Sequence, residues 1–347
     1  WLGNVKNFMI GAGPETFAQA YYQYRPTEHN NTSEWELLYN KAHNEFLNQL
    51  ATTGILGFGS YLVLLISMIY LYLTPTPSPK LGEGKLASGV RYSPLHIALF
   101  AGWLTILITN FWGFSVVVTQ LLLFLMPAMA FSLEQQSDKA SSNKVETDGS
   151  QIIGIIIILL VTLSLCYFVT RYWYADVKYA SGASAHKAFQ TTNDPQYLIS
   201  AYQNYYEAYQ YNPSEPALAS DLGLSAAYLA AAMRGEPATA GQLASQSLTL
   251  SQFAINTSPH HPNYYKNLTR GLILLSEIDS SYLESAKQAM LAASTISPTD
   301  PRIPYYLGII LSAQGATPEA KLYFQKSLNL KPDFLDAQKQ LNIVGSH

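Results

Sequence analysis

Between residues 11 and 47 the chain gathers side chains that chemistry at a membrane surface can use. His43 is the one side-chain type that titrates near neutrality, so it can take or give a proton under physiological conditions. Arg25, in Tyr24-Arg25-Pro26, offers a planar fork of donors suited to phosphate oxygens. Asn44 and Glu15 are polar residues at the starts of expected helices and are candidate substrate contacts. Each has a structural reading beside the chemical one. His43 can pack the start of a helix, Asn44 can be its N-cap, and Glu15, after Pro14, suits a first turn. Arg25 can be a solvated loop residue, and His29 is expected at the surface. Gly11 and Gly13 more readily shape a turn than cradle phosphate, because no strand and Lys-Ser/Thr pattern surrounds them. His260-His261 reads as a structural pair in a linking loop rather than a metal site, and no metal or cofactor is expected. The Asn-x-Ser/Thr triplets at Asn30, Asn31, Asn256 and Asn267 carry little weight.

The elements that must hold these residues are set by composition. Of 347 residues only 12% are charged and 48% are hydrophobic, so part of the surface is expected to face lipid. A net charge of −3 argues against nucleic acid as the main partner. The lone cysteine, Cys166, excludes an internal disulfide and reads as a packing residue. The chain starts at Trp1 with no signal-peptide pattern and reads as the C-terminal part of a longer protein. Four transmembrane helices are expected, at 55–73, 95–109, 115–133 and 152–170. Asn110 to Gly113 mark a turn between the second and third, and Arg171, Trp173 and Tyr174 anchor the fourth at the interface. Four spans place residues 1–54 and everything after 173 on one side, which a mild bias of Lys80, Lys85, Arg91, Lys139 and Lys144 makes extracytoplasmic.

Residues 181–347 are helical and repetitive. Proline recurs at 213, 259, 298 and 332, and the last interval is the 34-residue tetratricopeptide period. Framed on those prolines, the packing positions are Ala201, Tyr205 and Ala208, then Ala286, Met290 and Ala293, then Leu307-Gly308, Ala320, Phe324 and Ser327. Insertions are expected near 230–241 and 277–282. A helix over 317–330 is expected to start on Thr317 as N-cap and to pack on a helix at 303–313. The fold class is therefore all-α: polytopic transmembrane helices followed by a tetratricopeptide-like α-solenoid.

Three motifs in order, Gly-Ala-Gly-Pro-Glu-Thr-Phe (11–17), His-Asn-Glu-Phe-Leu (43–47) and Gly-Ile-Leu-Gly (54–57) leading into an apolar helix, resemble the conserved domain of the O-antigen ligase and O-antigen polymerase family. Some bacterial members also carry a C-terminal tetratricopeptide domain. The motif match covers about 50 residues, and the hydropathy match extends to about residue 173. The resemblance implies a multi-pass protein of the bacterial cytoplasmic membrane that moves a glycan from a polyprenyl-diphosphate carrier to an acceptor hydroxyl on a glycan, lipid or protein. In that reading His43 is the general base, Arg25 steadies the diphosphate, and the repeats recruit a protein partner. Two rival readings stand beside it. One is a transporter of a bicarbonate-like solute, since a histidine and an arginine at a membrane also suit an anion. The other is a membrane-anchored repeat scaffold.

Overall fold

The computed structural model describes residues 5–13, 16–37, 39, 41–74, 94–136 and 149–345. Every regular element among them is helical, as the sequence implies. The chain divides into two compact units, residues 1–21 with 38–146 and residues 22–37 with 147–347.

The first unit contains α1 (Val5–Ile10), α3 (Glu45–Leu73), α4 (Pro94–Trp112) and α5 (Val117–Gln136). The helix α2 (Phe17–Tyr24) straddles the division. Asn44 starts α3 by accepting from the Leu47 N–H at 2.9 Å, satisfying one of the orphan donors of a first turn. Gly54 then breaks the helix with φ +66° and ψ −170°, so the continuous apolar segment begins at Ile55 as expected. The α4 helix runs through Trp112, three residues beyond its expected end. The turn lies at 113–116 instead of at Asn110, and Phe111 and Trp112 are exposed. The core of the bundle is Leu65, Tyr72, Trp103, Ile106, Leu123 and Ala130. Pro127 in α5 has no N–H to give the Leu123 carbonyl, and Trp103 Nε1 donates to that carbonyl at 2.9 Å. His96 Nε2 likewise meets the Tyr72 carbonyl at 2.9 Å, near the end of α3.

The second unit begins with α6 (Gly149–Thr192), 44 residues long and thus about 66 Å. No linker separates its apolar part from the repeats. Within that apolar stretch none of the most hydrophobic window is buried, and Cys166, expected in packing, is exposed there. The following helices are α7 (Pro195–Tyr211), α8 (Pro216–Ala232), α9 (Pro237–Thr257), α10 (Pro262–Leu275), α11 (Tyr282–Ile296), α12 (Arg302–Ala313), α13 (Thr317–Leu330) and α14 (Leu335–Gly345). They pack as the pairs α6–α7, α8–α9, α10–α11 and α12–α13, with α14 against α13. The recurring prolines have one structural meaning. The residues before them, Asn212, Ser258, Ser297 and Lys331, close α7, α9, α11 and α13 with φ between −148° and −137° and ψ between 72° and 95°. A residue before proline is pushed out of the helical region, so each helix ends there. All the expected packing residues are buried. The α13 helix has the expected bounds, but its N-cap is Ala316 and no side chain caps it, so Thr317 is its first residue.

Among described residues, three helices are long and apolar enough to cross a membrane: Glu45–Leu73, Pro94–Trp112 and the 152–192 part of α6. The apolar stretch Val117–Ser132 of α5 is shorter.

Candidate functional site

In the first unit, the Gly-Ala-Gly motif and the helix break at Gly54 meet. Ala12 N–H donates to the Ala51 carbonyl at 3.2 Å and Gly13 N–H to the Thr52 carbonyl at 3.0 Å. Gly11 has φ +76°, and a Cβ on it would lie 2.2 Å from the Thr52 oxygen; one on Gly54 would lie 2.4 Å from Gly11 N. Two motifs 40 residues apart are thus one backbone contact that glycine alone permits at both positions.

The same helix start is fastened to the α4–α5 turn. Asn44 Nδ2 donates to the Phe111 carbonyl at 2.9 Å, and Glu45 N–H to the Gly113 carbonyl at 2.9 Å. Glu45 is only 3% exposed. Its Oε2 accepts from Ser115 N–H at 3.2 Å, and its Oε1 accepts from Gln49 Nε2 at 2.8 Å and Gln120 Nε2 at 3.2 Å. These contacts satisfy a buried carboxylate that would otherwise be costly. Sequence reasoning read no role for Glu45. Its local signals are an acid in the first turn of a helix, which electrostatics with the helix dipole already explains, and Gln49 four residues on; its other two partners lie 70 and 75 residues away.

His43 is exposed beside this junction. Its ring stacks on Phe114 with centroids 5.5 Å apart and meets Tyr39 edge-on at 6.0 Å. Lys41 Nζ lies 5.8 Å from the Phe114 centroid. Phe114 and Lys41 continue into an open recess of about 660 Å³ whose walls include Glu45, Asn48, Gln49, Thr52 and Gln120.

Arg25 belongs to the second unit. It is 3% exposed, and its Nη2 donates to Asn30 Oδ1 at 2.6 Å and to the Trp35 carbonyl at 2.9 Å. The whole segment 22–37 is bound to the inter-repeat turns. Asn30 Nδ2 donates to the carbonyls of Thr299 at 2.9 Å and Leu330 at 3.0 Å, and Lys331 Nζ donates to the Asn30 carbonyl at 2.8 Å. Thr299 Oγ1 donates to the Arg25 carbonyl at 3.0 Å. The Trp35 ring takes the Arg302 guanidinium at 5.2 Å and Lys331 Nζ at 4.8 Å. Underneath, Asp300 is fully buried, pairing with Lys266 at 2.8 Å and Arg302 at 3.0 Å. These two cations hold its carboxyl far below the usual range against the opposing effect of burial. His29, expected at the surface, is 8% exposed in a 3-10 turn at Thr27–Asn31, because the docked segment buries it. Burial, seconded by Arg25, lowers its pKa. His261 stacks on Tyr264 at 4.1 Å and meets Tyr22 at 6.3 Å, the structural role expected of it. Glu15 lies outside the described residues.

No protein-family model matches the chain, and no curated protein matches it. Among solved structures, Pseudomonas aeruginosa PilF is 19% identical, with a TM-score of 0.37, covering 50% of this chain and 69% of that one. The MamA protein is 15% identical, with a TM-score of 0.34, covering 49% and 80%. The tetratricopeptide-like character rests on the helix pairs and their caps described above.

Proposed function

We propose that the chain belongs to a membrane glycan ligase or polymerase of the O-antigen ligase type. It would move a glycan from a polyprenyl-diphosphate carrier to an acceptor hydroxyl. The observation that carries this reading is the junction of the Gly11–Gly13 and Gly54 motifs, which fixes the start of an apolar helix, with the exposed His43 ring stacked on Phe114 at the wall of the recess. The acceptor oxygen attacks the anomeric carbon, the new C–O bond forms, and the C–O bond to the diphosphate breaks with its electron pair leaving on the lipid phosphate. His43 takes the acceptor proton as that bond forms. Arg25 is occupied in holding segment 22–37, so the positive charge for the diphosphate falls in this reading to Lys41 on the recess wall. The repeats serve as a docking scaffold for a protein of the assembly machinery, a use that extended helical-repeat surfaces suit.

The test is transfer from a polyprenyl-diphosphate glycan by the purified chain in detergent. His43→Ala should lower turnover about 10²–10⁴-fold, the usual contribution of a general base. His260→Ala, at an exposed ring far along the repeats, is the control. Near-normal turnover in His43→Ala removes the base assignment. A wild type that moves no glycan but carries a solute replaces the reading with a transporter.

A further inference from the structure

We infer that the first repeat docks on the bilayer that α6 crosses, with the α7–α8 turn, Asn212 to Glu215, seated among phospholipid headgroups. The inference rests on α6 as a membrane span and is independent of the transfer reading above.

The register between α6 and α7 carries the argument. The α6 helix runs unbroken from its apolar stretch into the repeats, and α7 returns antiparallel along it. Three contacts align the two. A Cβ on Gly182 would lie 2.8 Å from the Tyr205 ring, Lys178 Nζ pairs with Glu207 at 2.6 Å, and the Tyr174 and Tyr211 rings meet with centroids 4.6 Å apart. Each step toward the apolar stretch on α6 is matched by a step toward the C-terminus of α7. One more turn in the same register brings Arg171 level with Asn212 to Glu215. The apolar stretch ends at Thr170. Tyr174 and Tyr211 therefore lie about 6 Å above that end, within a headgroup layer roughly 5–8 Å deep. The α7–α8 turn reverses at or below that level.

The side chains at this height suit the place. Tyr172, Trp173 and Tyr211 are exposed large rings. The Phe168 ring lies 6.3 Å from Tyr172, so the aromatic surface continues directly from the apolar stretch. Rings with an apolar body and a polar tip favour the membrane interface. Arg171 brings donors for lipid phosphate. The nearby acids are Asp176, Glu207 and Glu215. Glu207 is paired with Lys178, and Glu215 accepts from the Ala217 N–H at 3.2 Å as the N-cap of α8. No net positive charge is built here, so ring burial drives the docking and a zwitterionic lipid suffices. The later turns of the same edge meet protein instead: segment 22–37 touches His261, Thr299 and Lys331 there. Lipid takes at the first turn the place that this segment takes at the others.

The experiment uses the full chain in phosphatidylcholine nanodiscs, in a Cys166→Ser background. A nitroxide is attached at Ser214→Cys or at Ser280→Cys, the latter in the α10–α11 turn at the opposite edge of the repeats. Power-saturation EPR compares collisions with oxygen, which concentrates in lipid, and with a nickel chelate, which stays in water. The oxygen-to-nickel ratio should be higher at Ser214→Cys than at Ser280→Cys, and equal ratios overturn the inference. A flexible Gly-Ser insert after Thr170 separates docking from tethering, because every contact of the repeats lies beyond it. With the insert the Ser214→Cys ratio should hold; a fall to the Ser280→Cys value overturns the docking surface. In that same background Tyr172→Ser with Trp173→Ser should lower the ratio. Both rings are exposed, so the helix pair keeps its packing. An unchanged ratio there overturns the assignment of docking to these rings.

Discussion

Histidine shows how far a single residue's chemistry depends on its surroundings. His43 is exposed on Phe114, while His29, His186 and His261 are held in the second unit with their pKa values lowered chiefly by burial, His261 to about 4. A histidine kept neutral in the fold contributes stability that is complete above its unfolded pKa of about 6.5 and is lost as pH falls below it, because the unfolded chain then binds the proton more readily. For His261 that loss runs from about pH 6.5 down to about pH 4. Asp221, whose carboxyl burial pushes up, works in the opposite direction as acid is added. The expected result is a melting temperature of the full chain that falls between pH 6.5 and 4, with a shallower fall in His261→Phe, which keeps the stack on Tyr264. Equal slopes in the two proteins would show that this ring is not responsible. The roles of Arg25 and Glu45 were not legible in the sequence, for a shared reason. Each is satisfied by acceptors or donors that local pattern cannot place: Asn30 and Trp35 for the arginine, and the 115–120 segment for the carboxylate. His43, Asn44 and the glycine motifs were legible because helix capping and positive φ are local requirements.

At the scale of the element, the α6–α7 and α12–α13 pairs rest on a small residue facing a large one. Gly308 opposes Phe324 so closely that a Cβ would lie 2.6 Å from the ring, and Gly182 stands in the same relation to Tyr205 at 2.8 Å. In the α8–α9 pair the large residue is absent. Ser251 takes that place, and Gly223 lets the helices approach until a Cβ would lie 2.9 Å from its hydroxyl. Phe324 is fully buried, so Phe324→Ala should cost about 3–5 kcal/mol in a chemical-unfolding measurement of the full chain. A loss below about 1 kcal/mol, far under that range, would mean the α12–α13 interface does not depend on the ring. The proline frame found these positions directly, since a helix must stop before each proline and the packing positions count back from it. The missed features were those set by tertiary packing. The first was the continuity of α6 through the expected boundary near 173–181. The second was the extension of α4 to Trp112, where the Asn44 and Glu45 contacts hold the turn further along.

For the whole molecule, the 22–37 segment bears on membrane topology. Asn30 touches Thr299 and Leu330, which agrees with the expectation of four spans that puts this segment and the repeats on one side of a bilayer. Three described helices qualify by length and composition, and the expected fourth crossing would fall to α5, whose apolar stretch Val117–Ser132 is shorter. In a Cys166→Ser background, cysteines at Ser33 and Ser280 should be labelled from outside the cell and cysteines at Ser88 and Ser142 from inside. Labelling of Ser280 from the cytoplasm would require an odd number of crossings and rule out the arrangement. The same contacts also impose an order in time. The amide of Asn30 leaves the ribosome 269 and 300 residues before its acceptors, a wait of about ten seconds to a minute at usual synthesis rates. During that interval the segment carrying Arg25 and Asn30 has no repeats to rest on. A chain that stops before Leu330 never completes the pair of carbonyls. The clasp at Asn30 therefore closes only after synthesis has passed Leu330.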